Sequence, residues 1–404
     1  MAKAIAVIGA LDTKGAEFAF VRAEIARRGH EVLLIDTGVM DAPALQPDVP
    51  SEMVAQAGGT PLALLRERKD RGEAMKVMAA GAAKVADELY RTGRIAGILG
   101  MGGSAGTAVA TSAMRALPVG FPKVMVSTVA AGDTRAYVGT KDITMIPSVV
   151  DVAGVNRISR EIFTRAAGAI CGMAEARVQP GEDKPLLAAS MFGNTTRAVD
   201  RGRAVLEEHG YEVLVFHCTG TGGATMESLV EGGFIDGIFD ITTTEWADEV
   251  AGGVMTAGPS RGDAAARLGI PQVIAPGCVD MVNFWARSTV PAQYQDRQLY
   301  EWNPNVTLMR TTVAENAEIG RRLAAKANAS AGPVAFLLPL KGVSILDSPG
   351  NAFWNPEADQ ACFEAIKANL KPGIPVLEMD HNVNDVEFAD KAAELLLEML
   401  KKKA

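Results

Sequence analysis

A chain of 404 residues exceeds the roughly 250–300 at which a single hydrophobic core stops growing, so two or three domains are expected. Hydrophobic residues at 48% and charged residues at 22% exclude a disordered or collagen-like chain. The net charge of −8 argues against a general nucleic-acid binder, and it is uneven: residues 1–180 carry +3 and residues 181–404 carry −11.

Short apolar runs alternate with longer helical stretches from the start. Ala4–Gly9 and Glu31–Asp36 read as strands, joined by a segment in which Phe18, Val21 and Ile25 keep helical spacing. Met75, Met78, Ala82, Val85 and Leu89 recur at steps of three and four, which predicts an amphipathic helix before the next strand, Ile95–Gly100. Lys123–Ser127 is a fourth run. The polar stretch Val178–Lys184 reads as a linker, after which runs return at Leu186–Ser190, Glu212–Phe216, Ile235–Ile241, Gln272–Ala275, Val334–Leu338 and Pro375–Met379. Two segments repeat: Arg28–Leu34 (RGHEVLL) resembles His209–Val215 (HGYEVLV), and Gly120–Val126 (GFPKVMV) resembles Gly269–Ala275 (GIPQVIA). Strands alternating with helices predict an α/β fold with mainly parallel sheets. The expectation is two Rossmann-like domains, 1–180 and 181–404, with a ligand crevice between them.

Glycine, at 41 residues, is the one compositional excess, and it concentrates chemically in Gly100–Thr107 (GMGGSAGT), between a strand and a helix. Three motifs overlap there. As a phosphate loop, Gly102, Gly103 and Gly106 let backbone N–H groups approach an anion at a helix N-terminus, with Ser104 and Thr107 as hydroxyl donors. As a dinucleotide fingerprint it lacks an acid at the end of the next strand, which ends in Ser127-Thr128, so NAD is disfavoured. As a nucleophile elbow, Gly102-x-Ser104-x-Gly106 would make Ser104 a hydrolase serine, but the first half offers only His30 as a base. No Gly-Lys dipeptide occurs, which excludes a Walker A loop. Phosphate binding is the favoured reading.

Parallel strands deliver their following loops to one sheet edge. Asp12, Thr13 and Lys14 follow the first strand; Ser127, Thr128, Asp133 and Thr134 follow the fourth, with Asp133 and Asp142 as candidate ribose or Mg2+ contacts. The combination of Ala10–Gly15 (ALDTKG), Gly100–Thr107 and Ser127-Thr128 resembles the uncharacterised bacterial and plant family that includes the N-terminal region of the tomato mosaic virus resistance protein. The resemblance implies two Rossmann-like domains, ATP binding in the plant member, and self-association as a homodimer or higher homo-oligomer; ATP is the cofactor expected of this chain, with Mg2+ as its companion ion. The plant protein inhibits viral replication and carries an additional C-terminal barrel; this chain stops at Ala404, and antiviral activity is not expected of it.

The second half places unusual polar residues after its strands: Asn194, His217, Glu245, Arg261, Asp263, Asp280, Asn283, Lys341 and His381. His217, Glu245, Asp280 and His381 are the candidate acid/base residues, and Asn194, Arg261, Asn283 and Lys341 the candidate substrate contacts. His30 and His209, each in the turn before a strand, read as structural. No His/Cys spacing marks a metal site, and no metal ligand is assigned. The four dispersed cysteines, no apolar run long enough to span a bilayer, and no signal peptide at Met1–Gly9 predict a soluble cytoplasmic protein. An enzyme acting on a small molecule with ATP or another phosphorylated ligand is the leading expectation. A non-catalytic nucleotide-dependent regulatory module is the alternative, with a Ser104 hydrolase behind both.

Overall fold

The computed structural model describes residues 3–179, 181 and 183–403; part of the predicted linker, Pro180 and Glu182, lies outside them. The chain divides into two compact units, residues 1–180 and 181–404.

In the first unit the elements run β1 (Ala4–Gly9), α1 (Gly15–Arg27), β2 (Val32–Asp36), α2 (Ser51–Gly58), α3 (Leu62–Arg68), α4 (Arg71–Arg91), β3 (Ile95–Gly102), α5 (Ser104–Arg115), β4 (Lys123–Ser127), α6 (Arg135–Val138), β5 (Thr144–Pro147) and α7 (Arg157–Glu175). The strands form one parallel sheet in the order β2-β1-β3-β4-β5. Every residue of β1 is buried, as expected of a strand covered on both faces. One face packs Val54, Met78, Ala82, Met114 and Ile98; the other packs Phe18, Val21, Phe163 and Ile170. The Asp70 carboxylate caps α4 through the Glu73 N–H, and Asn156 with Ser159 forms a capping box on α7. Gly81 lets α4 approach α2 so closely that a Cβ there would lie 1.8 Å from the Val54 carbonyl oxygen.

The second unit continues with β6 (Leu186–Met191), α8 (Thr196–Glu208), β7 (Glu212–His217), α9 (Thr221–Glu231), β8 (Gly237–Thr242), α10 (Glu245–Ala251), α11 (Asp263–Leu268), β9 (Gln272–Gly277), β10 (Met281–Phe284), β11 (Leu299–Asn303), β12 (Val306–Arg310), α12 (Val313–Asn328), β13 (Val334–Pro339), α13 (Pro356–Asn369), β14 (Val376–Met379) and α14 (Val386–Lys403). Its main sheet is parallel in the order β14-β13-β9-β8-β6-β7. Taken by chain order within each unit, both sheets follow 2-1-3-4-5, and the second adds a sixth strand. Both are α/β folds of Rossmann-like architecture. The segment β10–β12 forms a separate antiparallel sheet, ordered β10-β12-β11, that the sequence reading did not anticipate.

The repeated segments occupy equivalent places. Arg28–Leu34 and His209–Val215 each enter the second strand of their unit; Gly120–Val126 and Gly269–Ala275 each enter the fourth. At all four turns the glycine has positive φ, 87° at Gly29, 90° at Gly210, 85° at Gly120 and 67° at Gly269, where a side chain would be strained.

Candidate functional site

In a 2-1-3-4-5 sheet the chain winds one way from β1 to β2 and the other way from β3 onward. The loops after β1 and β3 therefore separate, opening a crevice at the carboxyl edge. A cavity of about 890 Å³ occupies that position in the first unit. The loop after β1 contributes Asp12, Thr13 and Lys14; the loop after β2 contributes Thr37–Asp41; the glycine loop contributes Gly103, Ser104, Ala105 and Gly106. Leu65, Met75 and Met78 from α3 and α4, with Met101 and Val109, form an apolar wall opposite.

The polar end is built by α5. Gly103 is its N-cap, in extended conformation, and Ser104, Ala105 and Gly106 are its first three residues. A helix leaves the N–H groups of its first turn without intrahelical acceptors, and these carry the positive end of the dipole. The glycines keep the approach clear: a Cβ on Gly103 would meet nothing nearer than the Thr128 hydroxyl at 3.8 Å. Gly102 serves a different purpose. It is buried at the end of β3, and a Cβ there would lie 3.1 Å from Gly106 Cα, so it permits close packing beneath the loop and does not line the cavity.

Charges around the cavity are mixed. Lys14 is committed to the Val152 carbonyl. Arg66 donates to the carbonyls of Val39 (2.9 Å) and Asp41 (3.2 Å), tying down the loop after β2. Lys69 and Arg71, both exposed, flank the same wall. Asp12 accepts from the amides of Met40 (3.0 Å) and Asp41 (3.4 Å) through Oδ2, while its buried Oδ1 has no partner. Asp36, at the end of β2 where a dinucleotide fold places its ribose-binding acid, is instead consumed internally. Its Oδ1 accepts from Leu11 (3.0 Å) and Gly38 (2.8 Å), and burial raises its pKa.

Several nominated residues lie elsewhere. Thr107 and Ser127 are fully buried struts, joined hydroxyl to hydroxyl at 2.6 Å, with Thr107 also donating to the Gly103 carbonyl at 2.8 Å. They hold the loop's shape and cannot reach a ligand in the cavity. Thr128 is exposed beside the loop without lining the cavity. Asp133 pairs with Arg135 in an exposed turn, where that guanidinium lowers its pKa to about 2, and neighbouring Thr134 starts α6; neither lines the cavity. Asp142 holds the buried ammonium of Lys123 at 2.7 Å, which also donates to the carbonyls of Pro118 and Phe121. Ser104 lines the cavity, but His30 sits before β2 at the other end of the sheet, against Glu175 at 2.7 Å, so the unit supplies no histidine to activate it. Lys69, Arg71 and the apolar wall were missed, because apolar positions at steps of three and four in α4 read equally well as core.

The second unit separates its nominees. His217 ends β7 and His381 follows β14, the two opposite edge strands, so five interstrand spacings of about 4.8 Å part them. They cannot form an acid/base pair. His217 packs against Phe192 in a tilted pair, with ring centroids 5.4 Å apart; His381 lies 3.4 Å from Asp385, and neighbouring Lys341 pairs with Asp380 at 3.0 Å. His209 is bonded to the Val205 carbonyl in its turn.

Glu245 and Arg261 form a buried ion cluster. The Arg261 guanidinium grips both oxygens of Asp240 at 2.7 and 2.9 Å and reaches Glu245 at 3.0 Å, with Glu227 at 3.7 Å. Glu245 Oε1 accepts from the amides of Gly220 (2.9 Å) and Gly223 (3.0 Å), at the N-terminus of α9. A carboxylate of the chain itself thus fills that helix-terminal anion position. In this arrangement Glu245 and Arg261 are occupied by one another, by Asp240 and by the α9 N-terminus. Asn283 likewise serves Asp248: its amide and its Nδ2 donate to that carboxylate at 3.0 and 2.7 Å, and burial pushes Asp248 up to about 7. Asp263 pairs with Lys326 at the surface.

Asn194 and Asp280 are linked through Met281, whose sulfur accepts from Asn194 Nδ2 at 3.5 Å. Both are buried beneath the carboxyl edge, and each keeps one side-chain oxygen without a partner. Cys278, two residues before Asp280, is fully buried with φ 58°, an unusual conformation for a residue with a side chain. Among the described residues no group of three or more His, Cys, Asp or Glu side chains is arranged to hold a metal ion, and no helix is long and apolar enough to cross a membrane.

Two family descriptions match the chain: Uncharacterised protein family (UPF0261) N-terminal domain over residues 3–179, and the corresponding C-terminal domain over residues 184–400. A UPF0261 protein of Clostridium tetani is 49% identical over 404 residues, covering 100% of both chains. One from Mesorhizobium japonicum is 45% identical over 398 residues, covering 98% of each. The tomato (Solanum lycopersicum) ToMV resistance protein Tm-1(GCR237) is 43% identical over 313 residues, 76% of this chain but 42% of the tomato protein. This chain therefore spans less than half of that relative. Among solved structures, a UDP-N-acetylglucosamine 2-epimerase from Rickettsia bellii covers 100% of this chain and 96% of its own at 10% identity, with a TM-score of 0.23. The chain belongs to the UPF0261 family.

Proposed function

Within that family, we propose that the first unit binds a phosphorylated small molecule, ATP foremost, in the cavity at the β1–β3 switch point. One observation carries the reading: the exposed first turn of α5, cleared of side chains by Gly103 and Gly106, opens onto a cavity with an apolar wall. Such a site suits a ligand with an anionic end and a larger, less polar body. Phosphate oxygens would accept from the amides of Ser104, Ala105 and Gly106, with Lys69 and Arg71 as the accessible cations. The body would lie along Leu65, Met75, Met78 and Val109, where methionine adapts to irregular shapes. Mg2+ carried by a nucleotide needs only one or two protein carboxylates, and the unpartnered Oδ1 of Asp12 fits that role.

Calorimetric titration with Mg-ATP, ADP and pyrophosphate tests the reading; no heat with any of the three would remove it. Phosphate release under the same conditions separates an enzyme from a nucleotide-dependent regulatory module, since the first turns ATP over and the second only binds it. The proposal extends to a cytoplasmic, self-associating protein, and light scattering on the full chain tests the association.

A further inference from the structure

A closed ring of contacts lies under the carboxyl edge of the second unit. Asn194, after β6, donates through Nδ2 to the Met281 sulfur at 3.5 Å. Met281 adjoins Asp280, whose Oδ2 accepts from the Ser344 hydroxyl at 2.9 Å. The Ser344 carbonyl accepts from Asn382 Nδ2 at 3.1 Å. Asn382 Oδ1 accepts from the Asn384 backbone at 2.9 Å, and Asn384 Nδ2 returns to the Asn194 carbonyl at 2.9 Å. The loops after β6, β9, β13 and β14 are thereby joined.

Three oxygens on this ring are buried and have no partner: Asn194 Oδ1, Asp280 Oδ1 and Asn384 Oδ1. Asn194 and Asp280 are 1% and 0% exposed, so bulk solvent does not satisfy them. Nearly all buried polar groups in folded proteins are hydrogen-bonded, because a bare one has lost its water without replacing it. The nearby Arg310 does not supply the donors. Its guanidinium is spent on Asp359 (2.8 Å), Asp347 (3.4 Å), the Thr311 hydroxyl (2.8 Å) and the Phe353 carbonyl (2.8 Å). Lys341 is turned to Asp380.

The orphans are all acceptors, and only one belongs to a carboxylate. A single water has two protons and cannot serve three acceptors. An anion would be repelled. Divalent ions favour several carboxylates or a full shell of oxygens, whereas one carboxylate with two neutral carboxamides balances a single positive charge. We propose that the Asn194–Asp280–Asn384 ring is a binding site for a small monovalent cation, potassium, sodium or ammonium, or for the ammonium head of a small organic amine. The site is independent of the ligand in the first unit. Asp280 supplies the charge, and the two asparagines supply orientation.

All four tryptophans, Trp246, Trp285, Trp302 and Trp354, lie in the second unit, so their emission follows its unfolding alone. The full chain is melted in tetramethylammonium chloride, too large for the ring, with potassium, sodium, ammonium or methylammonium chloride substituted at constant ionic strength. One of the four is expected to raise the midpoint saturably, by about 3–6 °C at ten times its dissociation constant. Methylammonium matching ammonium identifies an amine head; potassium or sodium acting alone identifies the metal ion. Asp280→Asn should abolish the shift, and Asn384→Asp, which adds a second carboxylate, should move half-saturation several-fold lower. Identical melting in all five salts, or a shift that survives Asp280→Asn unchanged, would overturn the site and leave the ring to paired waters. If Asp280→Asn does not give native tryptophan emission, Asn384→Asp decides: half-saturation unchanged from wild type also overturns it.

Discussion

Gly103→Asp should act in opposite directions on stability and on ligand binding. Gly103 is the N-cap of α5 with φ −76°, accessible to any residue, and a Cβ there has 3.8 Å of clearance. Aspartate is among the best N-cap residues, since its carboxylate accepts from first-turn amides and complements the dipole; replacing glycine should stabilise the helix by a few tenths to about 1 kcal/mol. The same carboxylate competes for the amides that a phosphate would use and repels it. Two unit charges 4 Å apart interact by about 4 kcal/mol at an effective dielectric of 20. Allowing for screening at a cavity mouth, affinity for Mg-ATP should fall by roughly 100- to 1,000-fold. Calorimetry gives the affinity, and circular dichroism in urea gives the stability. Gly103→Ala, which adds bulk without charge, should lose far less. Unchanged affinity in a folded Gly103→Asp protein would refute the placement of the anion at α5; a loss of stability would refute the account of the loop.

Arg261→Met should destabilise the second unit by about 3–5 kcal/mol, because Asp240, Glu245 and Glu227 would remain buried around an uncharged side chain. A tryptophan-monitored urea midpoint within error of wild type would contradict it. Gly81→Ala gains at most about 1 kcal/mol of helix propensity but drives a methyl to 1.8 Å from the Val54 carbonyl. A net loss of about 1–3 kcal/mol is expected in urea unfolding, and any gain would show that α2 can retreat. Burial raises the pKa of Asp248 from 3.8 to about 7. The native state therefore binds more protons than the unfolded chain between those values, and stability falls as pH rises from about 4 to about 7, then levels. Asp248→Asn should flatten part of that decline in pH-dependent urea titrations; an unchanged slope would exclude Asp248 as its source.

The alternation of strands and helices was legible because buried parallel strands are continuous apolar runs and their helices keep a different period. The glycine loop was legible for a related reason: a run of small residues from the end of a strand into the start of a helix leaves few uses for so many glycines. What the sequence could not convey is which side of a loop a hydroxyl faces. Thr107 and Ser127 carry the same groups as Ser104, yet they point at each other beneath it. Arg261 was equally opaque, since its partners Glu245, Asp240 and Glu227 lie 16, 21 and 34 positions before it and meet it only through the fold. Strand order, not spacing, decided the histidines: His217 and His381 look alike as strand-end residues until β7 and β14 are seen to be the two margins. The β10–β12 sheet was hidden because its strands of four or five residues match no α/β period.

Two helix N-termini in this chain meet their need for negative charge differently. That of α9 is sealed by Glu245, a carboxylate tethered to the same polypeptide and present whatever the surroundings contain. That of α5 has no side-chain cap, and under the proposed binding its occupant would come from outside the chain. A tethered occupant makes the capping of α9 independent of the surroundings, whereas a visiting one, on the proposed reading, would make the stability of α5 rise with the logarithm of the ligand's excess over its dissociation constant. On that reading, withdrawing the ligand would uncap α5 while leaving the Glu245-capped α9 as it was.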